Sequence, residues 1–203
     1  MAGKIIKELK NHAPFTMLGA ATGIIIMLFF VKLPEKTAHD IFYVLHPAHV
    51  FLSALVTASI FKKNSPQAGG KINPVLFITI GYLGSVGIAT LSDSIIPYIG
   101  ETLLDMPRRQ PHIGFIEKWW LVNPLAFAGI ALAWFKPSTR FPHAGHVLIS
   151  TWSSLFHMIM AGAAGLTAPG IAAAFVFLFL AVWLPCCVSD IVFPLLFVKK
   201  QNN

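Results

Sequence analysis

Two histidines three residues apart occur twice in this chain, each pair followed by a distant aspartate: His46 and His49 with Asp93, and His143 and His146 with Asp190. At that spacing both imidazoles of a pair share one face of a helix. Two imidazoles and a carboxylate form a ligand set for a divalent transition metal: zinc, iron, manganese, nickel or cobalt. Ser53 and Thr57 continue the face of the first pair, while Ser150, Ser154 and His157 continue that of the second. Ser92 and Ser189 precede the two aspartates and suit the role of orienting them. Cys186 and Cys187 precede Asp190 by four and three residues. Either adds a thiolate to that set or packs as a small buried thiol. The same residues also suit a proton relay or a purely structural hydrogen-bonded network.

The two constellations are in register. At an offset of 97 residues, HPAHVFLS (46–53) falls on HAGHVLIS (143–150), and SDSIIP (92–97) falls on SDIVFP (189–194). This implies a duplicated unit, residues 1–103 and 104–203, within one membrane domain. Each unit holds three apolar runs. An odd number of spans inverts the second copy relative to the first, as in many membrane transporters. The plan resembles that of small cation exporters in architecture, although their motifs are not present.

The elements that carry these residues are read from hydropathy. Of 203 residues, 56% are hydrophobic and 11% charged, with a mean hydropathy of +0.71. Roughly a quarter of a soluble domain is charged, so this chain cannot cover a water-facing surface. A bilayer core needs about 20 apolar helical residues. Six runs come close to or exceed that length: 14–33, 41–61, 73–99, 120–135, 143–166 and 169–198. The fold class is therefore all-α, a multi-pass membrane helical bundle of six transmembrane helices in two inverted three-helix repeats.

Ten of the Lys and Arg residues fall in the N-terminus, the second and fourth loops and the C-terminus, against five on the other side, which predicts an integral protein of a cytoplasmic or inner membrane with both termini cytoplasmic. That bias also accounts for the net charge of +7, and no basic patch with interleaved aromatics points to nucleic acid. On this topology His46, His49 and Asp93 lie toward the outer leaflet, and His143, His146 and Asp190 toward the inner one. Phosphate loops, nucleophile elbows, HExxH and c-type haem motifs are all absent.

The sequence thus predicts a divalent transition-metal transporter with two pseudo-symmetric intramembrane sites and the bilayer and a metal ion as its partners. A membrane-embedded metalloenzyme, hydrolase or oxidoreductase, is the alternative. A third reading is a non-catalytic subunit of a membrane complex, and the small loops leave room for a homo-oligomer.

Overall fold

The computed structural model describes the backbone of residues 2–65, 72–187 and 192–198. Side chains are described for these residues apart from 2–9, 11, 12, 140–144 and 187. Among the described residues every regular element is helical. In chain order they are α1 (Ala2–Phe30), α2 (Glu35–Asn64), α3 (Pro74–Leu103), the short α4 (Gly114–Glu117), α5 (Trp119–Phe135), α6 (Arg140–Met160), α7 (Ala168–Cys187) and the single turn α8 (Phe193–Leu196), with a short 3-10 turn, Ala163–Gly165, between α6 and α7.

Among the described residues, four helices are long and apolar enough to cross a membrane: α1 over Ala13–Phe30, α2, α3, and α7 over Ala168–Cys186. The two other expected spans differ from these for physical reasons. Helix α5 has only 17 residues. Helix α6 has 21 residues but carries His146, Ser150, Ser153, Ser154 and His157, all buried, along its interior face. The run 169–198 is not one continuous helix in the described residues: α7 ends at Cys187 and α8 begins at Phe193.

Polarity is distributed in the way lipid demands. Phe29 and Phe135 are 80% and 82% exposed, and Val44, Leu83 and Val176 also face outward. Asp93, Glu101, His46 and His146 are wholly enclosed. Monomers in water avoid such broad apolar surfaces, and ionisable residues in membrane helices face the bundle interior. These features indicate a membrane protein.

Local chemistry sets the helix ends. Asn73 caps α3 by accepting from the Val75 and Leu76 amides, with Pro74 in the first position, where no amide is needed. Glu35 sits in the first turn of α2 and Lys62 and Lys63 in its last, complementing the helix dipole. Gly162, at φ 102°, ends α6 in the left-handed conformation that glycine adopts without strain.

Helix α2 is the central element, packed against α6, α5 and α3. It runs antiparallel to α6: Phe42 meets His157, His49 meets His146, and Ser59 accepts from the Ser138 amide. It approaches α5 so closely at Gly129 that a side chain there would run into the Phe51 carbonyl. Gly81 and Gly84 likewise let Ile130 and Thr57 pack against the α3 backbone, whereas Gly87 faces open space.

Helix α3 contains two wide π turns, Leu83–Gly87 and Leu91–Ile95. The second has a cause in the sequence. Pro97 has no amide to donate to the carbonyl of residue 93, and its ring crowds that carbonyl. The helix widens just before it, and the Ser92 hydroxyl lies 3.2 Å from the Ala89 carbonyl. Such bulges gather at functional sites, and this one carries Asp93.

Candidate metal centre

The wide turn of α3 presents Asp93 to α2 and α6 at once. One carboxylate oxygen, Oδ2, lies 2.9 Å from His46 Nδ1 and 2.8 Å from His49 Nδ1. The other, Oδ1, accepts from the Ser92 and Ser150 hydroxyls, each at 2.8 Å. Ser154, one turn beyond Ser150, donates to the Ser92 backbone carbonyl at 2.9 Å. Asp93 is thus a fully enclosed carboxylate with all four bonds made by residues named in the sequence reading. Asp93 binds the Nδ1 atoms, a pattern in which a carboxylate orients imidazoles whose Nε2 atoms face elsewhere. His46 Nε2 has no hydrogen-bond partner among the described residues. It abuts Gly114 of α4 so tightly that a Cβ there would lie 2.5 Å away.

The two halves of the chain meet at this point. The His49 and His146 rings stack with centroids 5.6 Å apart and planes 3° from parallel. His49, His146 and Cys186, all buried, can each offer a ligand atom within 4.8 Å of the others. These three donors come from α2, α6 and α7, so the group exists only in the folded bundle. The expected separation of the His pairs between leaflets does not hold for His49 and His146. Helix α2 begins at Glu35, earlier than its apolar run, and His49 stands fourteen residues from that end and fifteen from Asn64. This places it mid-helix, beside His146.

The remaining expected residues divide into two sets. Ser53 and Thr57 are buried on α2, and Thr57 packs against Gly84. The side chains of His143 and Cys187, and all of Ser189 and Asp190, lie outside the described residues. His157 is paired: its Nδ1 lies 2.6 Å from Glu101 Oε1, both groups being enclosed. Glu101 was not anticipated, although an acid in the apolar stretch IPYIGETLL marks it; it falls just past the apolar run 73–99.

A further group lies at the end of the bundle where residues 104–118 cross. Glu117 accepts from Tyr43 Oη at 2.5 Å and from the Ile113 amide at 3.1 Å, and lies 3.2 Å from His112 Nδ1. Burial opposes ionisation of Glu117, but the hydrogen bonds from Tyr43 and His112 outweigh it. They hold the carboxyl below its usual range.

No known protein family matches the chain, nor does any curated protein or solved structure. The function must therefore be argued from the site.

Proposed function

We propose that this chain is a multi-pass membrane transporter for a divalent transition-metal ion, held midway by His49, His146 and Cys186. The observation that carries this reading is the convergence of those three donors from three helices, within 4.8 Å, in the enclosed centre of an otherwise lipid-compatible bundle. Two imidazoles and a thiol match the ligand preferences of zinc, and cobalt is its spectroscopic substitute; a thiolate disfavours manganese. Asp93 serves as the orienting carboxylate, fixing the His46 and His49 tautomers through Nδ1.

Transport, rather than a purely structural ion, is supported by the buried line His146, Ser150, Ser154 and His157 along α6. It leads from the centre toward the 104–118 end of the bundle. The finer topology belongs to the same proposal: six passes, two inverted repeats and both termini cytoplasmic. The matched segments 46–53 and 143–150 lie on α2 and α6, which cross antiparallel at His49 and His146. An inverted repeat whose pseudo-two-fold axis passes between those rings accounts for this crossing.

The test is zinc flux into vesicles holding the reconstituted protein and a trapped zinc indicator. His49→Ala and Cys186→Ser are each expected to slow entry at least ~10-fold, the usual scale for disturbing a metal shell. Unchanged flux in both variants removes the reading.

Meeting of the halves at one locus also favours a membrane metalloenzyme, since a three-donor site leaves a position for water or substrate. Stoichiometric, Cys186-dependent metal binding without flux supports that second reading instead.

A further inference from the structure

His39, His112 and Glu117 can each offer one ligand atom within 4.8 Å of the other two, well apart from the central group. They come from the first turns of α2, from the 104–118 crossing and from α4. Unlike the central donors they are reachable from water: the His39, His112 and Glu117 side chains are 32%, 18% and 39% exposed. The acceptor is also held in place. Tyr43 and the Ile113 amide fix Glu117 through both of its oxygens, and His39 Nδ1 lies 3.5 Å from Asp40. Among the described residues no Lys or Arg forms an ion pair with Glu117. Arg108 pairs with Glu35 at 3.0 Å, Arg109 pairs with Asp105 at 2.7 Å, and Lys118 lies over the Tyr43 ring at 5.4 Å.

We infer that His39, His112 and Glu117 form a second divalent transition-metal site, an entry site at the 104–118 end of the bundle. As the capture step for the central ion it rests on the transport reading; as a metal site it does not. Two imidazoles and a carboxylate bind zinc and its neighbours and leave positions open to water. Without a thiol the set is the harder of the two, so a thiophilic ion gains by moving inward.

The inward direction is laid out in the structure. The His112 amide donates to His157 Nε2 at 3.4 Å, and His157 contacts Glu101, whose Oε2 has no hydrogen-bond partner among the described residues. Phe42 stands between this chain of groups and the centre. Its ring is stacked 5.3 Å from His46 and meets His157 edge-on at 5.4 Å. An ion at the entry site is therefore next to polar groups that lead toward His46, with one aromatic ring in the way.

The two sites can be told apart in the full-length protein in detergent. Equilibrium dialysis counts bound zinc, and cobalt substitution reports only the thiolate site through its sulfur-to-metal absorption. The double variant His39→Gln/Glu117→Gln is expected to lose one equivalent of zinc and keep the cobalt–thiolate band; Cys186→Ser is expected to lose the band and keep the zinc held by His39, His112 and Glu117. Zinc retention by the double variant equal to wild type overturns the inference. Loss of the band from wild type, with one zinc still removed by the double variant, removes the central reading and leaves this one standing. A readout that needs no variant is zinc protection of His39 and His112 from diethyl pyrocarbonate, followed by mass spectrometry of the wild-type chain. Protection is expected, and full modification of both at saturating zinc also overturns the inference.

Discussion

Asp93→Asn separates charge from shape at the centre. Asparagine is nearly isosteric, and the hydrogen-bond pattern shows how it fits. Its carbonyl can take the place of Oδ2 and keep accepting from His46 and His49. Its amide then faces Ser92 and Ser150, whose hydroxyls rotate from donor to acceptor. The fold should therefore survive, while the imidazoles lose the anion that makes them stronger ligands. Changing such an orienting partner typically costs 10–100-fold in metal affinity, or about 1.4–2.8 kcal/mol at ~1.4 kcal/mol per decade. Asp93→Ala deletes all four contacts. It leaves both imidazoles and both hydroxyls without their enclosed acceptor, a loss on the scale of about 3–5 kcal/mol for a broken buried pair. The assay is zinc competition against a chromogenic chelator in detergent, with thermal unfolding of the same samples. The expected pattern is weak zinc binding with a near-native melting temperature for Asn, and a collapsed melting temperature for Ala. Zinc affinity in Asp93→Asn within twofold of wild type would refute the orienting role.

Three other outcomes follow from the contacts. His157→Ala strands the enclosed Glu101 carboxylate and should cost about 3–5 kcal/mol; adding Glu101→Gln should recover much of it, and a double variant no more stable than the single contradicts the pairing. Gly129→Ala places a methyl against the Phe51 carbonyl, which belongs to backbone and cannot yield, so destabilisation of about 1–3 kcal/mol is expected from thermal unfolding. Glu117 has a folded-state pKa below its unfolded one, so its stabilisation is full above the ordinary glutamate range, near ~4.3, and fades as pH falls through the folded value. Wild type and Glu117→Gln should therefore differ in melting temperature at neutral pH and converge in acid; a gap unchanged down to pH ~3 speaks against the ionised contact.

How far the site could be read in advance depended on whether its contacts are periodic. His46, His49 and Asp93 come together because α2 and α3 are neighbours and their spacing sets a shared depth. Ser92, Ser150 and Ser154 follow from the same stripes. Spacing alone favours Cys186 as a packed thiol over a ligand, because spacing along α7 carries no information about what crosses it; its neighbours come from α2 and α6. The meeting of His49 with His146 was hidden by helix length, since Glu35–Asp40 extends α2 beyond its apolar run. His39, His112 and Glu117 escaped entirely. Their proximity is produced by a loop folding back over a helix start, and no period in the sequence encodes that. The second half of the proposed repeat, with Asp190, stands on sequence register alone.

The wide turn at Leu91–Ile95 holds one residue more than a regular α-turn of the same rise, and each residue of an α-helix turns the chain by about 100°. Asp93 lies within that turn, and Glu101 lies beyond it on the same helix. Were the turn to tighten to ordinary pitch, everything C-terminal to it would swivel by roughly that angle, and Glu101 would rotate out from under His157. The helix thus carries a built-in swivel between its two interior carboxylates, able to reset one of them against its histidine while the other keeps its grip.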